Sequence, residues 1–413
     1  MLFWRRLFFS MSYFKTKDKK DCCACSACIH SCPVHAIKFE RDEEGFDYPI
    51  INNEICINCG LCEKVCPVAH PIYDNEQYPK TYALYLRDVK ERQRSSSGGV
   101  FYAIALWVLE RGGVVFGSII DEQNQVYHIG VDNLQDLQQL RGSKYVQSAL
   151  KNVFKEIKLN LQAGRWCYFV GTGCQVAGLN AYLRKKYDTL ITSDLVCHGV
   201  PSQWMFDQHI YYLEKKYKGR VSDYRFRDNR IGGGSEIFSL TTKKGKKRTI
   251  INPTYLLSPY LYSFMYAMTC RYSCYDCKFA KVPRQGDITL ADYWGSKDFF
   301  PDMDNSKGIS LCLLNTEMGK RIWEFLKDEF DYSESNVNDA AKNNLNLIST
   351  STPHSNRSFI YEKVREEGYK KVAKEAFRVK NFNRVWINAY INQSLFLSAF
   401  LKVLSNIKHK LLD

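Results

Sequence analysis

Asp21 to Pro33 reads DCCACSACIHSCP, so five of these thirteen residues are cysteine. Four of them, Cys22, Cys25, Cys28 and Cys32, followed by Pro33, form the run C-x2-C-x2-C-x3-C-P, and Cys56, Cys59, Cys62 and Cys66, followed by Pro67, repeat it. Three thiolates on a curled loop can reach three irons of one cubane, whereas the fourth, carried off on a following turn, reaches the other cluster. The spacing therefore predicts two 4Fe-4S clusters with crossed ligands: Cys22, Cys25, Cys28 and Cys66 for the first, Cys56, Cys59, Cys62 and Cys32 for the second. Cys23 is left over. Each proline ends its loop, having no amide hydrogen and a fixed φ, and Gly60 supplies backbone freedom in the second loop. Between the runs, AIKFERDEEGFDYPII (residues 36–51) alternates loosely around a DEEG turn, as a short hairpin would. Zinc is the alternative, but zinc sites pair C-x2-C units and show no fourfold run ending in proline.

Residues 21–70 thus resemble bacterial dicluster ferredoxins. Cubane clusters pass single electrons, so the rest of the chain has to account for where the electrons go. Its 413 residues, 45% hydrophobic and 25% charged, suit two or three ordinary globular domains. Sixteen cysteines are too few for a disulfide scaffold of this length, and their crowding points to metal ligation in a reducing compartment, with the cytoplasm expected. A formal charge of +14 favours acidic proteins or anionic substrates as partners. Nucleic acid is not expected, because no helix-turn-helix, zinc-finger or RNP-type motif is present. In the opening MLFWRRLFFSM, Arg5 and Arg6 interrupt the apolar run and no small-residue cleavage site follows, so no leader is expected; Met11 is an alternative start.

From Thr81 the pattern changes. TYALYLRD reads as a strand, SSSGGV (residues 95–100) as a glycine-bearing entry, and VFYAIALWVLERGG as a helix. Amides exposed at such a helix start can cradle phosphate, although serine and glycine also make an ordinary helix entry. VVFGSIID is a strand and ALKNVFKEIKLNL a helix; RWCYFVGTGCQVAGLNAYL, then LVCHGVPSQWMFDQHIYYLEKKY, each give strand, turn and helix. The alternation predicts an α/β domain with a partly parallel sheet and a ligand site where turns leave the carboxyl ends of strands, at Gly171, Gly173, Gly199 and Ser202. FSLTTKKGKKRTII adds a basic hairpin.

SSSGGV, LRGSKYVQS, GTGCQVAGL, VCHGVPS and CRYSCYDCKFAKVPRQGDITLADYWG, in this order, resemble the family of coenzyme F-420 hydrogenase and dehydrogenase beta subunits, in the variety with a dicluster ferredoxin module fused ahead of the flavin domain. The likeness covers about residues 21–330. It implies an oxidoreductase holding FAD beside an iron-sulfur cluster, in which flavin joins one-electron donors to two-electron chemistry. By the same resemblance Ser97, Gly98 and Gly99 would contact flavin phosphates, and Lys144 with Tyr145 would border the cofactor. Two departures, Gly173 where relatives commonly have proline and Ala291 where they have glycine, put the shape of the flavin loops in question. Relatives also occur in organisms without the deazaflavin, some in clusters for surface polysaccharide synthesis, so the deazaflavin is not expected here and the substrate stays open.

Cys167 and Cys312 lie in the apolar stretches WCYFV and SLCLL and are expected to be inert core thiols. Cys174, Cys197, Cys274 and Cys277 fall in turns, and Cys274 with Cys277 has the C-x2-C bite of a cubane; these four either hold a third 4Fe-4S cluster or are scattered thiols, and Cys270 could replace one of them. His198 is either a proton donor or a hydrogen-bonded turn residue, and Asp287 and Asp292 either cap turns or orient the flavin edge. No catalytic acid or base is assigned.

The expected organisation is an N-terminal extension (1–20), a ferredoxin-like domain (21–75), a larger mixed-sheet α/β flavin domain (80–330) and a helical C-terminal region (331–413), an α+β to α/β architecture overall. In the last region NVNDAAKNNLN and STSTPHSNRS read as loop, FIYEKVREEGYKKVAKEAF as a helix, and residues 388–413 as a basic amphipathic helix suited to a membrane surface or to a protein partner. The function expected is electron transfer from ferredoxin or another redox donor, through clusters and FAD, to a small-molecule substrate, with a link to polysaccharide synthesis open; the alternative is a non-catalytic wiring subunit of a larger redox complex.

Overall fold

The computed structural model describes residues 11–228 and 235–393. Met1–Ser10 and most of the amphipathic stretch expected over 388–413 lie outside them. The ferredoxin segment folds as expected. β1 (Ile37–Arg41) and β2 (Asp47–Ile51) pair antiparallel, Phe39 facing Pro49, around the DEEG turn.

Residues 80–335 form the body of the molecule. Its strands are β3 (Lys80–Leu86), β4 (Val114–Ile120), β5 (Val126–Val131), β6 (Cys167–Thr172), β7 (Leu190–Leu195), β8 (Gly219–Arg225), β9 (Glu236–Thr242), β10 (Lys247–Asn252), β11 (Ile288–Asp292), β12 (Ser310–Leu314) and β13 (Phe330–Ser335). Eight of them make one mixed sheet in the order β13-β3-β12-β11-β7-β6-β4-β5. The inner four, β4, β6, β7 and β11, are parallel, and both flanks are antiparallel. β4 and β6 are largely apolar on both faces, as strands covered on both sides tend to be, whereas β7 buries Thr192, Ser193 and Asp194 and β11 buries Thr289. Successive side chains of β6 point opposite ways. Tyr168 packs with the helices Val100–Leu109 and Glu317–Leu326, while Cys167 and Phe169 pack on the other face with Val153–Gln162 and Gly173–Leu183. Cys167 and Cys312 are buried core thiols, as expected.

The basic hairpin β9–β10 and β8 form a separate three-stranded sheet. It shares an aromatic-rich core with the helix Gln203–Tyr217 and the helices near the C-terminus.

Three expectations for the C-terminal region are corrected. The sheet does not end at residue 330, because β13 pairs with β3 through Ser335. NVNDAAKN is not loop but the helix Val337–Asn343; the Asn336 side chain accepts from the Asp339 amide at its start, so a residue that reads as a turn former is a cap. FIYEKVREEGYKKVAKEAF breaks at Gly368 into Ile360–Glu367 and Tyr369–Glu375.

This region also clasps the ferredoxin hairpin. Arg357 donates to both carboxylate oxygens of the turn residue Glu44, at 2.8 and 2.6 Å, with both side chains buried. Breaking a buried pair strands the surviving charge, so Arg357→Met should cost about 3–5 kcal/mol, read as a lowered urea midpoint.

Candidate redox centre

The two cysteine runs share a backbone as well as a spacing. Ala24 and Ser26 have φ of 53° and 65°, and their counterparts Asn58 and Gly60 have 51° and 68°. Left-handed residues at these places curl each loop so that successive N–H groups face inward, a concavity suited to an anionic cluster, before the short helices Ala27–Ser31 and Leu61–Lys64 begin. The Ala24 amide donates to Cys22 Sγ at 3.4 Å and the Ala36 amide to Cys32 Sγ at 3.2 Å.

Thiols of both runs act on those of the first. Burial pushes the Cys66 thiol up, and Cys22 adds to the shift. Cys28 is pushed well up by burial and then by Cys22, Cys66 and Cys62. Cys25 is held down by a hydrogen bond with Cys23, yet burial, Cys66 and Cys28 leave it raised. Cys66 therefore stands with Cys22, Cys25 and Cys28. In the other run Cys62 is raised by burial and, more weakly, by Glu63 and Cys59, and Cys59 is exposed. Cys56 lies beside Asn58, with Sγ 3.7 Å from its Oδ1.

Cys174 and Cys197 follow the carboxyl ends of the adjacent parallel strands β6 and β7, and the loop 270–280 brings Cys274 and Cys277 to them. Burial pushes Cys197 up to about 12, and Cys174 and Cys277 add to the rise. Cys277 goes up to about 11 through burial and Cys174. Cys274 is pushed well up by burial and then by Cys270, Cys197, Cys277 and Cys174. These four thiols act on one another, and Cys270 is among them, acting on Cys274 ahead of Cys197, Cys277 and Cys174. Cys23 is within hydrogen-bonding reach of Cys174, so the leftover thiol of the first run touches this group. The modules are closely fitted: a Cβ on Gly178 would lie 2.7 Å from Cys25 Cβ, so only glycine lets the helix Gly173–Leu183 approach the first loop.

Among the described residues no three His, Cys, Asp or Glu side chains are drawn tightly enough to hold a single metal ion. Thiolates around one zinc stand roughly 4 Å apart, given bonds of about 2.3 Å, whereas a cubane carries its ligands on separate iron corners. The donor set is all sulfur, twice within a duplicated loop, and fits clusters. Metal binding would offset the raised thiol pKa values by taking the place of the protons.

Beside the third group opens a cavity of about 540 Å³, within the range of about 300–1,000 Å³ common for cofactor sites. Cys23, Cys174, Cys197, Cys274 and Cys277 line it, and so do Ser97, Gly99, Lys144 and Tyr145. Gly98 departs from its expected place. Its amide is spent on Ser310 Oγ at 2.8 Å, and a Cβ there would strike the Leu84 carbonyl at 2.3 Å, so it packs the loop onto β3 and β12. Lys144 borders the cavity, but its ammonium donates to the carbonyls of Gln139, Leu140 and Arg141 at 2.9–3.1 Å, closing the helix Leu134–Leu140. Burial pulls it down to about 7.

His198 is a hydrogen-bonded turn residue, with Nε2 against the Phe264 carbonyl and Nδ1 against Asn346 and Ser351. Asp287 ties Thr192 and Thr316 together, while Asp292 faces the cavity in an ion pair with Arg227. Among the polar residues of this wall that sequence reasoning did not single out, three stand close to charge or hydrogen-bonding partners. His128, pulled down to about 4 by burial, sits between Ser148 Oγ and the Val170 carbonyl; Arg227 and Arg271 are the others. His128 and Arg227 lie in no motif, and Arg271 lies within the segment beginning CRYSC without its residue type there marking a role.

Residues 21–70 match the 4Fe-4S dicluster domain family, and residues 164–340 match the C terminus of the coenzyme F420 hydrogenase/dehydrogenase beta subunit. The chain is 22% identical over 330 residues to one of the subunits of the F(420)H(2) dehydrogenase of Methanosarcina mazei, covering 76% of this chain and 84% of that one. A ferredoxin of Alicyclobacillus acidocaldarius is 43% identical over 53 residues, covering 13% of this chain and 60% of the ferredoxin. A chain of the F420-reducing NiFe hydrogenase complex from Methanosarcina barkeri aligns with a TM-score of 0.44 at 16% identity, over 71% of this chain and 96% of that one. Among the described residues no helix is long and apolar enough to cross a membrane.

Proposed function

From an iron-sulfur electron-transfer protein that joins a 4Fe-4S dicluster domain to the C-terminal region of a coenzyme F420 hydrogenase/dehydrogenase beta chain, we propose a flavin-dependent oxidoreductase with three clusters. Cys22, Cys25, Cys28 and Cys66 hold the first, Cys32, Cys56, Cys59 and Cys62 the second, and Cys174, Cys197, Cys274 and Cys277 the third. The cavity beside the third thiol group holds FAD. When bound, clusters supply single electrons and flavin supplies their pairing.

The observation that carries this reading is that one cavity is lined both by the third group's cysteines and by Ser97, Gly99, Lys144 and Tyr145. The thiol groups form an unbroken order from surface to cavity: Cys59 is exposed, Cys62 neighbours Cys28, and Cys22 neighbours Cys174. Exposed Ile55 and Ile57 beside the second group offer an apolar face to a redox donor. Within the cavity, Arg227 and Asp292 hold one another and so fix a polar edge against which a substrate can be oriented. His128, neutral near pH 7, hydrogen-bonds a hydroxyl and a carbonyl and keeps the wall rigid. Sixteen cysteines with no disulfide among them suit a reducing compartment and support a cytoplasmic location.

After anaerobic reconstitution the protein should carry about twelve irons per chain and release FAD on acid denaturation. Eight irons would remove the third cluster, and no released flavin would remove the cofactor. A second reading, a wiring subunit that acts only with a partner enzyme, is favoured by the likeness over most of both chains to a protein named as a dehydrogenase subunit. Turnover of a small substrate by the purified chain alone separates the two.

A further inference from the structure

Arg271 is completely buried. Buried arginines elsewhere in the molecule rest on carboxylates: Arg284 on Asp194, Arg357 on Glu44, Arg92 on Asp304. The nitrogens of Arg271 go instead to neutral oxygens: Nε to the Cys22 carbonyl at 2.6 Å, one terminal nitrogen to the Asp47 carbonyl at 2.9 Å and the other to Gln147 Oε1 at 3.2 Å. The guanidinium lies over the Tyr48 ring, 4.1 Å from its centroid. A full charge removed from water without an anionic partner is costly, so a partner has to be sought nearby.

The sulfurs supply it. The guanidinium is within hydrogen-bonding reach of the Cys22 thiol, and Cys22, Cys23 and Cys274 all act on it. As thiolate ligands of clusters, these sulfurs would belong to the anion the arginine lacks. Its place is between the first and third thiol groups. The second group, with exposed Cys59, faces solvent.

We infer that Arg271 is the buried counter-charge of the cluster at Cys22, Cys25, Cys28 and Cys66, and that it makes this cluster easier to reduce than the exposed one at Cys32, Cys56, Cys59 and Cys62. This rests on the cluster assignment proposed above. One-electron reduction adds one negative charge, and a fixed cation within a few ångströms stabilises that added charge more than the oxidised state. Arg271 then sets the direction in which electrons settle, inward from the exposed site. It is a positioning residue, and its contacts to Cys22, Asp47 and Gln147 would also serve a purely mechanical clamp between modules. A reduction potential distinguishes the two roles.

The experiment is an anaerobic dithionite titration of the reconstituted full-length protein followed by electron paramagnetic resonance, with Cys59→Ser and Cys174→Ser used to assign the signals of the exposed and third clusters. The Cys22 cluster should be reduced at least about tenfold more readily than the exposed one, about 59 mV for a one-electron couple. Arg271→Met should lower the Cys22 cluster by at least about tenfold and leave the exposed cluster where it was, while Arg271→Lys, which keeps the charge, should stay within about threefold of the parent. Equal shifts at both sites, no shift at either, or a lysine variant as low as the methionine one overturns the proposal. Should the methionine variant fail to hold the first cluster, the order in the unaltered protein decides, since an exposed cluster reduced first is incompatible with this role. Fewer than eight irons per chain would instead sink the cluster assignment beneath it.

Discussion

Cys66→Ala should empty the site at Cys22, Cys25 and Cys28, although Cys66 belongs to the other run. Iron should fall by about four atoms per chain, and the signal of the buried cluster should vanish while that of the exposed cluster survives. The reciprocal variant, Cys32→Ala, should remove the exposed cluster and spare the buried one. The effect is large because three thiolates leave one iron corner without a protein ligand in a place already short of water. The expectation stands on the grouping of Cys66 with Cys22 and Cys28: Cys22 and Cys66 both push Cys28 up, and Cys22 pushes Cys66 up. Loss of the exposed signal in Cys66→Ala would mean that each run serves its own cluster.

The ferredoxin segment was legible because its chemistry is local. Ligand spacing and loop curl are written within thirteen residues, and Ala24, Ser26, Asn58 and Gly60 repeat the curl in the second run. The parallel heart of the sheet was legible for a different reason, the alternation of strands with helices along the chain. The cavity was legible only in part. Gly98 looked like a phosphate contact because a glycine at a helix entry is compatible either with a ligand or with a close neighbour, and only the position of Leu84 and Ser310 separates these. Lys144 likewise carries a charge whose partner, the end of the helix Leu134–Leu140, depends on how the next residues turn back. β13 was missed because FDYSES is a polar edge strand, with one fully covered residue. Arg271, Arg357 and Glu44 were invisible, their partners being more than 80 residues away in the chain.

Removing iron should undo the ferredoxin segment and leave the large sheet standing. Trypsin would then cut at Lys38, Arg41 or Lys64 at least about a hundredfold faster than in the loaded protein, because cleavage follows the population of the open form. The reason lies in how little this segment buries by itself. Its own apolar cluster consists of Cys25, Ala27 and Val65, and Val68 is buried in a small cluster shared with Ala177 and Phe279 of the larger domain. Around fifty residues with so small a core need a metal, disulfides or a partner to stay folded. The partner here is incomplete without the clusters: Glu44 keeps Arg357, but Arg271 would face protonated thiols in place of an anion, and its grip on Cys22 and Asp47 would hold a buried, uncompensated charge in place. The sheet from Lys80 to Ser335 has no such dependence, since the helices on its two faces bury large separate cores. Restoring iron and sulfide should restore resistance. An apoprotein as resistant at Lys38 as the loaded form would show that the contacts to Arg271 and Arg357 suffice and that the clusters serve electron transfer without holding the fold.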